Sequence, residues 1–157
     1  MRPEDLLRFR WLADPQIDPA GRRVAFTLVW VDEEADDYAS SIWLQEADGG
    51  PPRPLTQGRT DSQPRWSPDG RRLVFLRKTP GQDAPQLHLL ELDGGEARCL
   101  TQLSKGASAV AWSPDGRKLA FLSRSPYPDE AEAKAPPKAP GRLVTRPVWR
   151  MNGEGFI

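Results

Sequence analysis

The ten residues WSPDGRRLVF run from Trp66 to Phe75 and return as WSPDGRKLAF from Trp112 to Phe121. A more divergent copy, IDPAGRRVAF, runs from Ile17 to Phe26. The three copies are spaced by about 45 to 50 residues, a period typical of architectures built from repeated supersecondary units. The chain is therefore predicted to be a repeat protein.

A second block of sequence recurs with the same period. IWLQEADGGPPRPLT runs from Ile42 to Thr56, and LHLLELDGGEARCLT runs from Leu87 to Thr101. Both blocks follow a copy of the first motif, so the order of the two motifs is kept from one repeat to the next. Two motifs in one order at one period define a repeat unit that contains both.

Each unit contains the signals of four short strands. Ser67–Gly70 has the residue preferences of a type I turn, with Pro at its second position and Gly at its fourth. Leu73–Leu76 and Leu119–Leu122 are apolar on both alternating faces, which predicts strands covered on two sides. Asp48–Gly50 and Asp93–Gly95 supply residues that tolerate positive φ, as hairpin turns require. Four-stranded blades are the expected result.

The fold class is accordingly predicted as all-β, an incomplete β-propeller of four-stranded antiparallel blades occupying residues 16–157. Blade one is expected from about Gln16 to Thr56 and blade two from about Pro64 to Thr101. The first strands of blade three fall near Ala109–Trp112 and Lys118–Ser123; a Pro-rich charged loop follows, and a strand-like pattern resumes at Arg142–Arg150. Because propellers close with four to eight blades, the ring is expected to need further sequence.

A short helix is expected before the propeller, in residues 1–15. Pro3 suits a first helical position, and Asp5 suits the positive end of a helix dipole. Arg10 suits the opposite end, and Pro15 would stop the helix.

The bulk composition excludes several function classes. Lys and Arg total 22 and Asp and Glu total 22, so no net charge attracts nucleic acid or an anionic membrane. The longest apolar run, Val24–Val31, is too short to span a bilayer, and Cys99 is the sole cysteine. We expect a cytoplasmic protein without nucleic-acid or membrane partners.

The WSPDGRxLxF repeat resembles the propellers of the prolyl oligopeptidase family and those of TolB-like and tricorn-like proteins. Two flanking segments, Pro3–Phe26 and Arg142–Ile157, look like the corresponding parts of acylaminoacyl peptidases. This resemblance implies a serine peptidase that hydrolyses short peptides, with a Ser, Asp and His triad in a carboxy-terminal α/β-hydrolase domain outside this chain. It also implies a gating propeller and three partners: a peptide substrate, that hydrolase domain and further copies of the protein.

No catalytic residue is expected within the chain itself. A hydrolase nucleophile elbow needs Ser between two glycines, and the nearest sequence, Gly106–Val110 around Ser108, lacks the second Gly. His88 is the sole histidine and aligns with Trp43 in the preceding repeat, which favours a structural role. No cofactor or metal site is predicted either.

Four other features are given structural interpretations. The acidic run Asp32–Asp37 lacks the spacing of an EF-hand and is interpreted as a solvated loop. Cys99 lies in an outer strand without a neighbouring base. Trp66 and Trp112 recur at equivalent places, as packing residues do. The residues interpreted as exposed charges at sheet edges are Arg71, Arg72, Arg117 and Lys118.

An alternative to the peptidase is a non-enzymatic interaction propeller like TolB, which binds another protein through its surface or channel. A WD40 or kelch scaffold fits less well, because the Trp-Asp and Gly-His signatures of WD40 repeats are lacking. A hydrolase domain downstream would favour the peptidase.

Overall fold

The computed structural model describes residues 2–124. Within this range the chain forms ten strands and one short 3₁₀ helix. The strands are β1 (Arg10–Ile17), β2 (Arg23–Asp32), β3 (Asp37–Glu46), β4 (Arg53–Pro54), β5 (Ser62–Trp66), β6 (Arg72–Arg77), β7 (Gln86–Glu91), β8 (Arg98–Cys99), β9 (Ser108–Trp112) and β10 (Leu119–Leu122).

The strands form sheets that follow the sequence repeat. Blade one has the order β1-β2-β3-β4 and blade two the order β5-β6-β7-β8, and every neighbouring pair is antiparallel. β9 and β10 pair as an antiparallel hairpin, here called the third hairpin. The predictions of an all-β class and of four-stranded antiparallel blades are confirmed. The strand-like segment Arg142–Arg150 and the loop before it lie outside the described residues.

The expected amino-terminal helix is wrong. Pro3–Arg8 forms only a 3₁₀ helix, and the chain from Arg10 to Ile17 is the first strand of blade one. The backbone of β1 pairs with β2. A helix reaching residue 14 would have left this edge of β2 without a neighbouring strand. Pro15 is tolerated because the register shifts between Ala13 and Gln16, where a bulge interrupts the ladder. Blade one therefore starts at Arg10.

The core lies between successive sheets. A first cluster joins Ala25, Ile42 and Leu44 of blade one to one face of blade two. A second cluster joins the opposite face of blade two, including Val74 and Leu76, to the third hairpin. Blade two is thus covered on both sides, as the apolar sequence of its second strand predicted.

A threonine in the second motif holds the outer edge of each blade. Thr56 Oγ1 accepts a hydrogen bond from Ile42 N at 3.0 Å, and Thr101 Oγ1 accepts one from Leu87 N at 3.0 Å. The repeated Leu-Thr pair therefore ends each blade by supplying an acceptor to its third strand.

No helix among the described residues is long and apolar enough to cross a membrane.

Candidate functional site

The Trp-Ser-Pro-Asp-Gly segment forms a hydrogen-bonded β-turn. Gly70 N donates to Ser67 O at 2.9 Å, and Gly70 has a φ of 68°, a left-handed conformation that suits glycine. Ser67 Oγ donates to Asp69 Oδ1 at 2.5 Å and accepts from Arg72 N at 2.9 Å. The Ser67 hydroxyl lowers the pKa of the Asp69 carboxyl. The third hairpin repeats this bonding through Ser113, Asp115, Gly116 and Lys118.

Each turn is also bound to the blade before it. Arg23, at the start of β2, donates from Nη2 to Gly70 O at 2.8 Å. Its guanidinium carbon lies 4.8 Å from the centre of the Trp66 ring, a cation–π distance. The Trp66 indole N–H donates in turn to Gln16 O at 2.9 Å. Two residues of blade one thus hold the turn and the tryptophan of blade two.

The same contacts recur one repeat later. Arg72 Nη2 donates to Gly116 O at 3.2 Å and the guanidinium lies 5.0 Å from the Trp112 ring. Trp112 Nε1 donates to Arg65 O at 3.1 Å. We call this set of an arginine, a turn-glycine carbonyl, a tryptophan and a strand carbonyl the arginine clamp. Recurrence at both interfaces assigns it to packing between blades.

The first repeat places a buried carboxylate at the position of the turn serine. Asp18 accepts hydrogen bonds from Arg22 N at 2.7 Å, from Arg23 N at 3.1 Å and from Arg23 Nε at 3.0 Å. Burial alone would raise the pKa of Asp18, but these hydrogen bonds outweigh burial and lower it. The ionised Asp18 orients the arginine of the first clamp.

The first strand of each repeat contains a bulge with a left-handed residue. Asp14, Gln63 and Ala109 have φ values of 49°, 53° and 49°, although none is glycine. Two of them link neighbouring blades: Asp14 Oδ2 accepts from Arg65 Nη1 at 2.6 Å, and Gln63 Oε1 accepts from Ala109 N at 3.2 Å. The left-handed backbone of Asp14 and Gln63 therefore orients their polar side chains toward the next blade.

An ion pair with one fully buried partner lies beside blade two. Asp61 is fully buried and accepts from Arg77 Nε at 2.6 Å and from Arg77 Nη2 at 2.8 Å. These bonds raise the pKa of Arg77 above its usual value. Gly58 packs so closely on the Asp61 carboxylate that a Cβ there would collide with it. The guanidinium lies 5.1 Å from the Phe75 ring. The geometry suits structural support.

His88 lies beside this pair and is not arranged for catalysis. The ring is buried, stacks on Phe75 at 5.8 Å and donates from Nδ1 to Gln86 O at 3.3 Å. Burial lowers the pKa of His88, so the neutral ring is favoured. Ser108, the weak nucleophile candidate, is exposed in β9 and lies 3.5 Å from Leu122 O through its Oγ. The structure gives these two side chains separate partners.

The acidic run Asp32–Asp37 divides into a buried and an exposed part. Asp32 is buried and forms a salt bridge with Arg59, whereas Glu33, Glu34 and Asp36 are exposed in the β2–β3 turn. Among the described residues no group of three or more His, Cys, Asp or Glu side chains is placed to hold a metal ion. Asp32 therefore anchors the segment after β4, an ion pair that the run alone did not reveal.

The remaining candidates occupy the surface, with one exception. Cys99 is exposed in β8 and its Sγ donates to Thr101 O at 3.0 Å. Arg71, Arg117 and Lys118 are exposed as expected. Arg72 is not: the interpretation as an edge charge is wrong, because its guanidinium covers Trp112. In the sequence, this contact was indicated by the recurrence of a Trp before the turn and a basic residue after it in successive repeats.

Comparisons with known proteins agree with this architecture. No family model matches the chain. The chain is 42% identical over 106 residues to YuxL of Bacillus subtilis, named as an uncharacterized peptidase, covering 67% of this chain and 16% of that protein. It is 28% identical over 153 residues to dipeptidyl-peptidase 5 of Porphyromonas endodontalis, covering 96% of this chain and 22% of that protein. The chain thus spans less than a quarter of the length of either relative.

Solved structures also match most of this chain. The acylaminoacyl peptidase of Pyrococcus horikoshii matches with a TM-score of 0.61 at 23% identity, over 73% of this chain and 17% of that one. The β-propeller domain of the trilobed protease from Pyrococcus furiosus, described as having an open velcro topology, matches with a TM-score of 0.62 at 22% identity, over 73% and 34%. TolB from Agrobacterium tumefaciens matches with a TM-score of 0.56 at 26% identity, over 74% and 39%.

Fold and contacts define a propeller segment whose blades are joined by arginine clamps. The peptidase relatives agree with the resemblance drawn from the repeats: the chain is a peptidase-associated propeller segment.

Proposed function

We propose that this chain is the opening part of the propeller of a serine peptidase that hydrolyses short peptides. The observation that carries the proposal is the 42% identity, over 106 residues of this chain, to a protein named as a peptidase. The acylaminoacyl peptidase and trilobed protease structures supply the matching fold. Catalysis belongs to a hydrolase domain elsewhere in the polypeptide, through acyl-enzyme chemistry at a Ser, Asp and His site.

In this proposal the propeller restricts which substrates reach that site. A propeller leaves a narrow channel between its blades, so extended peptides pass and folded proteins do not. The clamps favour this role, because a gate has to keep its dimensions while substrate moves past it. Peptide-end specificity is left to the catalytic domain, and acyl-amino-acid, dipeptide and internal cleavage are all compatible with a propeller gate.

The test uses the polypeptide made from the complete reading frame. We expect it to hydrolyse acyl-amino-acid or dipeptide p-nitroanilides and to react with a fluorophosphonate probe, and we expect replacement of the serine in a downstream Gly-x-Ser-x-Gly elbow to abolish both. Cleavage of short peptides should exceed cleavage of the same sequence within a folded protein. A reading frame that encodes no hydrolase domain would refute the proposal.

The alternative is a non-enzymatic interaction propeller, which the likeness to TolB favours. This function predicts stable capture of a protein partner and no reaction with the fluorophosphonate probe. We further propose a cytoplasmic location and self-association of the complete protein; cell fractionation and sedimentation velocity test these two points.

A further inference from the structure

Four Asp-Gly pairs lie in the turns of the two repeated motifs, in two different environments. They are Asp48–Gly49, Asp69–Gly70, Asp93–Gly94 and Asp115–Gly116. We propose that Asp93 and, more slowly, Asp48 are sites of spontaneous isoaspartate formation, whereas the turns that contain Asp69 and Asp115 protect those residues from it. This inference goes beyond the proposed function and does not depend on it.

The modification requires a backbone N–H and a carboxyl group that are free to meet. The glycine amide nitrogen attacks Cγ of the preceding aspartic acid, and the N–H proton leaves with the carboxyl hydroxyl as water. Water then opens the resulting succinimide ring at either of its carbonyl carbons. Attack at Cγ restores aspartate, whereas attack at the former main-chain carbonyl carbon leaves the main chain running through Cγ, as isoaspartate. Glycine favours the reaction, because it has no Cβ to hinder the approach.

The carboxylates of Asp69 and Asp115 are held in an unreactive state. Asp69 Oδ1 accepts hydrogen bonds from Ser67 Oγ at 2.5 Å and from Arg71 N at 3.0 Å. Asp115 Oδ1 accepts from Ser113 Oγ at 2.6 Å. The serine hydroxyls lower the pKa of both carboxyl groups, so the ionised form is favoured. An ionised carboxylate resists attack, because its charged oxygen is a poor leaving group.

The glycine of each protected pair is fixed as well. Gly70 N and Gly116 N each donate to the carbonyl oxygen of the turn serine at 2.9 Å. The carbonyl oxygens of the same two glycines accept from the clamp arginines, Arg23 and Arg72. Because attack on the carboxyl group requires the glycine to leave these partners, the arginine clamp also protects the Asp–Gly peptide bond.

Asp48 and Asp93 lie in exposed hairpin turns that lack these contacts. Within residues 2–124, no hydrogen bond or ion pair reaches either carboxylate. The N–H groups of Gly49 and Gly94 donate at 3.3 Å and 3.4 Å, longer than the 2.9 Å of the protected turns. Both reacting groups are therefore held more weakly in these hairpins than in the Trp-Ser-Pro-Asp-Gly turns.

One side chain distinguishes the two exposed hairpins from each other. Gln45 Nε2 donates to two carbonyl oxygens of the first hairpin, Glu46 O at 3.0 Å and Gly50 O at 2.9 Å. Leu90 stands at the equivalent position one repeat later and has no donor. The second hairpin is therefore less restrained, which is why Asp93 is expected to react first.

Isoaspartate at residue 93 would alter the outer edge of blade two. It lengthens the main chain by one atom between β7 and β8. β8 has only two residues and is held by the pairing of Arg98 with Leu89 and of Cys99 with His88. We expect the longer turn to loosen this pairing. The product is an exposed isoaspartyl carboxylate, the chemical group that isoaspartyl O-methyltransferases esterify.

The experiment follows isoaspartate at all four pairs in one sample. The polypeptide made from the complete reading frame is aged at neutral pH and digested; isoaspartate is located by electron-transfer fragmentation and quantified by methyl transfer with an isoaspartyl O-methyltransferase. We expect formation at Asp93 to be about threefold faster than at Asp48 and at least about tenfold faster than at Asp69 or Asp115. In urea all four should react at similar rates, because each is followed by glycine.

Ser113→Ala tests the protection in the third hairpin. Loss of the hydroxyl should raise the rate at Asp115 at least about fivefold, because the carboxylate loses its shortest hydrogen bond. Asp69 in the same molecule is the control, and its rate should not change. Ser67→Ala is the reciprocal variant, with Asp115 as its control. A rise at both sites in both variants would assign the protection to overall folding and overturn the role of the turn.

Gln45→Leu tests the order of the two exposed hairpins. It should raise the rate at Asp48 to that at Asp93, and an unchanged rate would overturn the assigned role of the glutamine. Isoaspartate that forms at Asp69 or Asp115 as fast as at Asp93 would overturn the protection. Equal rates in the folded protein and in urea would overturn the whole inference.

Discussion

Ala109 is an alanine in a backbone conformation that favours glycine. Its φ of 49° brings Cβ close to its own backbone, while the equivalent Asp14 and Gln63 use the same conformation to reach the next blade. Ala109 has no polar side-chain group, so no side-chain hydrogen bond offsets the strain of its left-handed backbone. At the scale of single residues, the bulge thus recurs in each repeat, but only in the first two does its side chain bind the next blade.

Ala109→Gly is expected to raise the free energy of unfolding by about 0.5–1 kcal/mol, because glycine adopts positive φ without steric cost. Ala111→Gly is the matched control in the same strand and should lower it by a similar amount, since it only adds chain entropy to the unfolded state. Urea denaturation of both variants measures the difference. Destabilisation by Ala109→Gly would contradict this account of the bulge.

His88 makes the stability of blade two dependent on pH. Burial and the nearby Arg77 lower the pKa of His88 in the folded state, against the opposing effects of Gln86 O and Asp61. His88 therefore binds a proton more readily in the unfolded chain than in the folded one. The free energy of unfolding is highest above about pH 6.5, the approximate pKa of His88 in the unfolded chain, and decreases as the pH falls below this value. His88→Phe keeps a ring on Phe75 and should flatten this dependence between pH 7 and 5. An unchanged slope in thermal denaturation would rule out His88 as its source.

At the scale of elements, the segment between β4 and β5 is fixed by charges. Ser40 N donates to Arg59 O at 2.9 Å, and Asp61 N donates to Ser40 O at 3.1 Å. Asp32 holds Arg59 and Asp61 holds Arg77, so the crossover between blades is tied at both ends. The sequence of this segment is polar and contains a glycine, and nothing in it indicated such order.

Asp61→Ala is expected to destabilise the protein by about 1–3 kcal/mol, because it removes the two hydrogen bonds that hold the half-buried Arg77 guanidinium. The double variant Asp61→Ala with Arg77→Met should recover part of this loss, since it removes the unpaired charge and keeps apolar contact with Phe75. Denaturation of the two single variants and the double variant gives the coupling energy. Simple additivity would contradict the ion-pair assignment.

The arginine clamp is tested at the interface between blade two and the third hairpin. Arg72→Met should lower the free energy of unfolding by about 1–2 kcal/mol, through the lost bond to Gly116 O and the lost cation–π contact with Trp112. Arg72→Lys should cost less, because lysine retains the charge over the ring. The neighbouring Arg71→Met is the control, and its effect should stay within about 0.5 kcal/mol.

At the scale of the whole molecule, each sheet within residues 2–124 contacts only its sequence neighbours through the two core clusters. Stability in such an array is approximately a sum of blade terms and nearest-neighbour interface terms. The outward side of blade one, with Ile17 in place of the clamp tryptophan, differs chemically from both interfaces in the structure. The two faces of the array are therefore chemically different, because the clamp tryptophan is present at both interfaces and is replaced by Ile17 on the outward side of blade one.

Arg72→Met is accordingly expected to raise amide hydrogen exchange in β9 and β10 while leaving exchange in β2 and β3 unchanged. The reason is that the lost contact belongs to the second interface only. Mass spectrometry of peptides from the two regions measures this difference. A uniform rise across the chain would indicate that the blades unfold as one cooperative unit.

The sequence by itself determined the repeat, the four-stranded blades and the turn. Trp-Ser-Pro-Asp-Gly encodes its own geometry through proline, a short hydroxyl and a glycine, and runs such as Leu73–Leu76 record burial on both faces. Peptidase relatives agree with the flanking resemblance. The absence of a hydrolase elbow was equally readable, because that motif is local.

Tertiary structure alone decided the roles that depend on contacts between repeats. The sequence of residues 1–15 predicts a helix, but the chain from Arg10 onward forms a strand instead. Pairing with β2 satisfies the backbone hydrogen-bonding groups of both strands, whereas a helix would satisfy only its own. Arg72 became a clamp and Asp61 a buried anchor because their partners, Trp112 and Arg77, come from strands that only folding brings near. The turn chemistry depends on adjacent residues, whereas these charged side chains acquire their function from partners 16 or more positions away.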